Sequence, residues 1–290
     1  MEFKDTFFSD KQSMNCRGRL LSFEPALVMG ILNITPDSFY AGSRKTIPRE
    51  ILKKASQMID EGADILDIGA YSSRPGSVDI SEKEEYARLV TALEIVRKNY
   101  PEALISVDTF RSGIARKVVG EFGVDMINDI SGGELDSEMF DTIASLQVPY
   151  TIMHMKGNPA NMREHTAYDD VVKEIVNYFS EKIHHLNKLG INDIIIDPGF
   201  GFAKTIEQNF QILSQMQAFG IFKQPMMAGI SRKSMIYKTL EGSPMEALNG
   251  STVLHTIALM KGACILRVHD VKEAREAVLL VNRMMDSGIS

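Results

Sequence analysis

Cysteine is scarce in this sequence, which has two in 290 residues. A disulfide-stapled scaffold is therefore excluded, and both Cys16 and Cys264 are expected to be unpaired thiols of a reducing compartment. No apolar run approaches the ~20 residues that cross a membrane. The N-terminal stretch MEFKDTFFSDKQ is charged throughout, so no secretory signal is predicted. We expect a cytoplasmic protein with no membrane partner.

An excess of positive charge is also missing. Lys and Arg number 32 against 38 Asp and Glu, which gives a formal charge of −6. A nucleic-acid partner is therefore not expected, because such surfaces need clustered cations. Any anion that this protein binds must be held by a local group of basic side chains.

Several familiar catalytic patterns are absent. No Cys or His spacing matches a zinc site, and no nucleophile has a recognisable paired base. The stretch GFGFAKT ends in Lys204-Thr205 but lacks the glycine–lysine spacing of a phosphate-binding loop. The glycine fingerprint of dinucleotide-binding folds is missing as well.

What the sequence does contain is a repeated strand–helix unit. Four segments begin with glycine, continue through a short aliphatic run and end on a polar residue: Asp67, Asn128, Asp197 or Arg267. Glycine is favoured just past a helix end, and an unbroken aliphatic run suits a strand buried on both faces. Four further runs, ALVMGILN, ALISVDT, PYTIMHM and PMMAGIS, bring the predicted strands to eight.

The segments between these strands have helical periodicity, and residues 81–84 (SEKE) are a predicted capping box. Strands alternating with helices predict an α/β fold. Eight such units without a dinucleotide fingerprint favour a closed (β/α)8 TIM barrel over a doubly wound sheet. We expect one barrel domain over 1–290, with 1–26 as an N-terminal β-hairpin cap and 27–290 as the barrel.

Polar side chains follow all eight predicted strands. In a barrel these strand ends surround one mouth, where active sites are built. Cations and carboxylates occur together there, which suits a ligand with an anionic tail and a neutral heterocycle rich in N–H donors. The side chains are Asn33, Thr35, Asp37, Asp67, Arg74, Asp108, Asn128, His154, Asp197, residues 231–234, Arg267 and His269.

Eight motifs between Met29 and Asp270 resemble, in order, those of the dihydropteroate synthase family of pterin-binding barrels. They are MGILNITPDSF, DIGAYSSRPG, SVDT, INDISGG, MHMKGNP, DPGFGFAKT, GISRKS and LRVHD. The resemblance implies a transferase of folate biosynthesis that condenses 7,8-dihydropterin-6-ylmethyl diphosphate with 4-aminobenzoate, giving 7,8-dihydropteroate and pyrophosphate. It also implies a homodimer and a sulfonamide target.

The resemblance further implies roles for individual residues, with Lys233, Arg267 and Asp108 as the catalytic ones. Mg²⁺ is the implied cofactor, bound to the diphosphate. By motif, Asn33 would ligate Mg²⁺; Asp108, Asn128, Asp197 and Lys233 would bind the pterin; Arg267 and His269 would hold the diphosphate; and Ser73, Arg74, Phe202 and Ser234 would shape the 4-aminobenzoate end.

The chain departs from the commoner family pattern in one loop. Many relatives have Gly-Glu-Ser-Thr-Arg-Pro-Gly where this chain has AYSSRPG, so Tyr71 replaces Glu and Ser73 replaces Thr. Ser73 keeps the hydroxyl, whereas the consequence of Tyr71 stays open. The segments 35–43 and 71–77 have few apolar residues, so we expect them to complete the 4-aminobenzoate site only when diphosphate binds.

Two alternatives remain at this point. A pterin-dependent methyltransferase would share the barrel but would not need SRKS together with RVH. A non-catalytic pterin-binding barrel should have lost Asn33, Arg267 or His269, and the sequence retains all three.

Overall fold

The computed structural model describes residues 13–34, 47–71 and 80–287. Within them, an antiparallel hairpin precedes eight parallel strands in the order β8-β7-β6-β5-β4-β3-β10-β9. A single bridge between Ile196 and Met226 joins the two outer strands of this order, so the sheet closes on itself. The strands are β1 Ser13–Cys16, β2 Arg19–Ser22, β3 Leu27–Asn33, β4 Ile65–Gly69, β5 Leu104–Asp108, β6 Met126–Asp129, β7 Tyr150–Met153, β8 Ile194–Asp197, β9 Met227–Ala228 and β10 Ile265–Val268.

Helices connect successive barrel strands, which confirms the predicted (β/α)8 fold. They are α1 Ile47–Asp60, α2 Glu82–Asn99, α3 Ser112–Phe122, α4 Met139–Leu146, α5 Val171–Lys188, α6 Ile206–Ser214, α7 Ser234–Tyr237, α8 Leu248–Met260 and α9 Val271–Ser287, with short 3₁₀ turns at Met162–Glu164, Met216–Phe222 and Pro244–Glu246. Within the described ranges, no helix combines the length and apolar character that crossing a membrane requires.

Two helix ends carry signals that are visible in the sequence, a glycine after α3 and a predicted capping box before α2. Gly123 ends α3 with φ of 62°, a left-handed conformation that glycine adopts at little cost. Ser81 caps α2 by accepting the N–H of Glu84 at 3.2 Å. The other half of the predicted capping box is not formed, because the Glu84 carboxylate binds Arg88 at 2.6 Å instead.

The hairpin β1–β2 closes the N-terminal end of the barrel, as predicted for the cap. Its turn, Arg17-Gly18, has positive φ at both residues, and Cys16 and Cys264 are both free thiols. One buried apolar cluster joins the hairpin to the lower barrel interior: Met14, Cys16, Phe23, Leu27, Met29, Ile65, Met126, Ile195, Met227 and Ile265. Full burial of an aliphatic side chain contributes about 1.5–3 kcal/mol, so this contact orients the hairpin firmly.

The barrel interior changes from apolar to polar toward its C-terminal mouth. Because strand side chains alternate between faces, Asp67 lies two residues above the interior Ile65 and points inward as well. Ser106 is opposite Asp67 on β5, and Asp108 is opposite Asn128 of β6. The fold therefore directs buried polar groups into the upper half of the barrel.

Candidate active site

Arg267 lies at the centre of the polar layer, between two carboxylates from other strands. Its Nε donates to Asp67 Oδ2 at 2.7 Å and its Nη2 donates to Asp108 Oδ2 at 2.6 Å. Burial lowers the pKa of Arg267, but attraction from Asp67 and Asp108 outweighs it and the net shift is upward. Burial raises the pKa of Asp108, and Arg267 opposes this effect. The Arg267 guanidinium thus forms ion pairs with both Asp67 and Asp108.

Asp67 has unused hydrogen-bonding capacity in this layer. Asn128 Nδ2 donates to Asp67 Oδ2 at 3.0 Å. The other oxygen, Oδ1, is buried and has no partner among the described residues, and the same is true of Ser106 Oγ on the neighbouring strand. A buried acceptor without a donor is costly, so the layer fits a ligand or water that brings N–H or O–H groups.

Asp197 and Lys233 face each other across a gap left by Gly229. Asp197 Oδ1 accepts the N–H of Gly199 at 2.8 Å, and no described residue donates to Oδ2. A Cβ on Gly229 would lie 3.7 Å from Asp197 Oδ2 and 3.9 Å from Lys233 Nζ. Burial raises the pKa of Asp197 and Lys233 opposes it. Burial lowers the pKa of Lys233 to about 8, against the attraction of Asp197.

An apolar wall borders this charged pair. Lys233 Nζ donates to the carbonyl of Phe200 and lies 4.6 Å from the centroid of the Phe202 ring. A flat apolar surface beside a cation suits an aromatic ligand. The wall consists of Ile130, Met153, Met155, Met162 and Ala203, with Phe110 and Phe202 packed against them.

Asn33 ends β3 beside a second gap. It is opposite Gly69, which is opposite Asp108 on the next strand. A Cβ on Gly69 would lie 3.5 Å from Asn33 Oδ1 and 3.3 Å from Asp108 Cβ. No group of three or more His, Cys, Asp or Glu that could hold a metal occurs in the described ranges. A single amide oxygen nevertheless fits Mg²⁺, which takes most of its ligands from water and phosphates.

The motifs GISRKS and LRVHD are joined by an ion pair and a hydrogen-bonded serine. Arg232, with φ of 54°, donates from Nε and Nη2 to the two oxygens of Asp270, both at 2.8 Å. Ser231 Oγ accepts the N–H of His269 at 3.1 Å and lies 3.1 Å from its Nδ1. The sequence alone predicts no separate role for Asp270. Its contact with Arg232 fixes the loop that presents exposed His269.

Tyr71 packs where the commoner family pattern has a glutamate. Its ring makes an edge contact with Phe110 at 5.1 Å between centroids, and the Arg111 guanidinium lies 5.6 Å from the Tyr71 ring. Arg111 also pairs with buried Glu85 and donates to the Ile80 carbonyl at 2.8 Å. Tyr71 therefore makes an aromatic contact at the position where the resemblance implies a carboxylate.

The structure brings most of the predicted site residues to one mouth. Outside the described residues lie Thr35, Asp37, Ser73 and Arg74, along with the segments 35–43 and 72–77. The C-terminal strand ends and the loops that follow them contain Asn33, Asp108, Asn128, Asp197, Phe202, Lys233, Ser234, Arg267 and His269.

Comparisons with known proteins agree on one family. Residues 29–269 match the family model described as pterin binding enzyme. The chain is 39% identical over 273 residues to the dihydropteroate synthase of Escherichia coli, covering 93% of this chain and 96% of that one. The dihydropteroate synthase of Yersinia pestis, solved with a sulfonamide drug, superposes with a TM-score of 0.88 at 36% identity, covering 94% of this chain and 99% of that one.

A third relative carries one of the expected substrates. The Xanthomonas albilineans dihydropteroate synthase, solved with 4-aminobenzoic acid, has a TM-score of 0.88 and 35% identity, covering 94% of this chain and 98% of that chain. The similarity in sequence and in structure thus extends over nearly the whole length of each chain.

Proposed function

The chain belongs to the pterin-binding enzymes and, within them, to the dihydropteroate synthases, and we propose how its barrel mouth handles the two substrates. The reaction joins 7,8-dihydropterin-6-ylmethyl diphosphate to 4-aminobenzoate. The bond between the pterin methylene carbon and the diphosphate oxygen breaks, and its electron pair leaves with pyrophosphate. The arylamine nitrogen forms the new C–N bond and releases a proton.

The observation that carries the proposal is the unfilled acceptor of buried Asp197. A carboxylate accepts two parallel hydrogen bonds from an amino-amide edge such as the one a pterin presents. Asp197 Oδ2 receives no bond from any described residue, and Gly229 leaves the space in front of it open. We assign Asp197 to this edge, with Asn128, Asp108 and Lys233 around the rest of the ring.

Arg267 and His269 are proposed to hold the diphosphate. Arg267 keeps its Nη1 without an acceptor among the described residues, while its other nitrogens are fixed by Asp67 and Asp108. A guanidinium held in one orientation stabilises the charge that develops on departing pyrophosphate without reorganising. Exposed His269 lies two residues beyond Arg267 at the same mouth.

The apolar wall is proposed to receive 4-aminobenzoate. Phe202 offers a ring face next to Lys233, and Ser234 begins α7 beside it. Ser73 and Arg74 are assigned to the same end by their motif. Because the Yersinia relative was solved with a sulfonamide drug, we propose that sulfonamides compete here with 4-aminobenzoate.

Mg²⁺ is proposed as the cofactor, with Asn33 as its protein ligand. Bound to a diphosphate, this ion supplies positive charge that makes pyrophosphate a better leaving group. The amide oxygen of Asn33 and the gap beside Gly69 suit an ion that arrives with its own phosphate and water ligands.

A homodimer and a cytoplasmic location are also proposed. Neighbouring helices α8 and α9 expose large apolar side chains, a feature of surfaces that pair with another molecule. Free thiols at Cys16 and Cys264 support a reducing compartment. The exposed side chains are Val253, Met260, Leu279, Leu280 and Met284.

An assay of pyrophosphate release tests the proposed function. Release should require both 4-aminobenzoate and the pterin diphosphate, and a chelator of divalent cations should abolish it. Added Mg²⁺ should restore the activity. Release that continued without 4-aminobenzoate would contradict the proposed condensation, and release unaffected by the chelator would contradict the assignment of Mg²⁺.

Pterin binding is expected to weaken as the pH rises through about 8. Burial lowers the pKa of Lys233 to that value, so its ammonium is present below it and is lost above it. Calorimetric titration of a pterin without the diphosphate, from about pH 6.5 to about 9.5, measures the effect. In Lys233→Met the affinity should be lower and should no longer decline through about pH 8. An unchanged alkaline decline in that variant would assign the titration to another group.

A further inference from the structure

Lys204 is a buried lysine that the proposed chemistry does not use. It follows Phe202 on the loop after β8 and is 9% exposed. Its Nζ lies 2.9 Å from the carbonyl of Phe202, 3.0 Å from that of Gly199 and 3.1 Å from that of His154. The same Nζ lies 3.1 Å from His154 Nδ1. Four acceptors therefore surround one buried amino group; burial lowers the pKa of Lys204 well below its usual value, and attraction from Asp197 opposes this shift.

The partner of Lys204 on β7 is a neutral histidine. Burial lowers the pKa of His154 to about 2, and the charge of Lys204 acts in the same direction. A ring nitrogen that accepts an N–H of Lys204 carries no proton itself, so we place the proton of His154 on Nε2. Lys204 thus donates to the end of β7 and to the loop after β8 at once.

This loop has a conformation that needs support. Gly199, Gly201 and Ala203 have φ of 72°, 80° and 51°. The left-handed region is unfavourable for Ala203, which has a Cβ. A Cβ on Gly199 would collide with the His154 carbonyl, so the loop passes very close to β7. The N–H of Gly201 is also fixed, by Asn209 Oδ1 at 2.6 Å.

The two substrate sides depend on Lys204 to different degrees. Asp197 is held by the sheet, since its carbonyl accepts the N–H of His154 at 3.0 Å and it is opposite Met153. Phe202 lies beyond the sheet, where its N–H bonds Gly199 at 3.1 Å and its carbonyl bonds Lys204. Loss of the amino group would therefore displace the Phe202 ring more than the Asp197 carboxylate.

We propose that Lys204 is a positioning residue for the arylamine side of the site. By binding the carbonyls of Gly199 and Phe202, it determines where the Phe202 ring lies against Lys233. This inference rests on the proposed function, in which Phe202 receives 4-aminobenzoate and Asp197 receives the pterin. It adds that Lys204 affects the arylamine side of the site more than the pterin side, which the proposed function does not require.

Steady-state kinetics of Lys204→Met test the inference. The KM for 4-aminobenzoate at saturating pterin diphosphate should rise about tenfold, because small misplacements of substrate-positioning groups have effects of at least this size. The KM for pterin diphosphate should rise less, since Lys204 acts on Asp197 only through its charge. Lys173→Met, which removes an exposed lysine from α5, is the matched control and should behave as the native chain. Equal increases in both KM values, or no increase, would overturn the inference.

A double-mutant cycle keeps the test independent of overall stability. If Lys204 acts through Phe202, then Lys204→Met should raise the KM for 4-aminobenzoate much less in a Phe202→Leu background. Full additivity would contradict the inference. If Lys204→Met does not fold, Lys204→Gln, which keeps two N–H donors, replaces it in both tests. Absence of pyrophosphate release from the native chain and Lys173→Met would contradict the proposed function instead.

Discussion

Arg267→Met is expected to lower the free energy of unfolding by about 3–5 kcal/mol, because it leaves two buried carboxylates without their cation. Asp67 is fully buried and Asp108 is 16% exposed in its side chain. Each accepts a charged hydrogen bond from Arg267. Chemical denaturation followed by circular dichroism measures the loss, and pyrophosphate affinity should fall with it.

Two further variants separate the structural role of Arg267 from its role toward the ligand. Adding Asp108→Asn to Arg267→Met removes one stranded charge and should recover part of the stability without recovering pyrophosphate binding. Arg19→Met, which breaks an exposed 3.8 Å pair with Glu102 and a 2.7 Å hydrogen bond to its carbonyl, should cost only about 1 kcal/mol. Stability of Arg267→Met equal to that of Arg19→Met would contradict this account of the buried charge network.

Asp197→Asn is expected to weaken pterin binding by about 2–4 kcal/mol, roughly 30- to 1000-fold, while the fold stays intact. The new amide would present an N–H donor where the ligand edge needs an acceptor. Its oxygen can still accept the N–H of Gly199, so the strand end keeps its conformation. Titration calorimetry with a pterin that lacks the diphosphate measures this loss directly.

The thermal stability of Asp197→Asn should be near that of the native chain. The amide avoids the cost of burying a charge, which raises the pKa of Asp197, but it also gives up the attraction of Lys233, which opposes that shift, so the two effects offset each other. Asp141→Asn on the exposed face of α4 is the control and should change neither property. Pterin affinity within about twofold of native would remove Asp197 from the pterin site.

Local patterns in the sequence predicted the architecture and most of the mouth. The signals are local: glycine is favoured just past a helix end, and an unbroken aliphatic run suits a strand that is buried on both faces. Gly123 and the strand that ends at Asn128 and Asp129 follow this rule. The positions of the strand ends then follow from barrel closure, which brings Asp67, Asp108 and Arg267 together.

The pairings inside the mouth could not be predicted, because they join residues that are distant in the chain. Asp67 and Arg267 are 200 positions apart, and Lys204 and His154 are 50 apart. The sequence suggested Arg267 as a phosphate ligand, and the structure adds two carboxylates that orient it. Lys204 stood out only as part of a phosphate-loop pattern that failed. Its carbonyl contacts depend on a turn with several left-handed residues.

The closure of the barrel between β8 and β9 has a consequence for how the molecule moves. Strand β9 has two residues and meets β8 through the single bridge of Ile196 and Met226. Few backbone hydrogen bonds resist opening there, so amide exchange with solvent should be fastest along this line of the sheet. Asp197 lies at one side of it and Lys233 at the other. A ligand that contacts both would cross-link the two edges and slow that local breathing, so that occupancy of the mouth and rigidity of the barrel rise together.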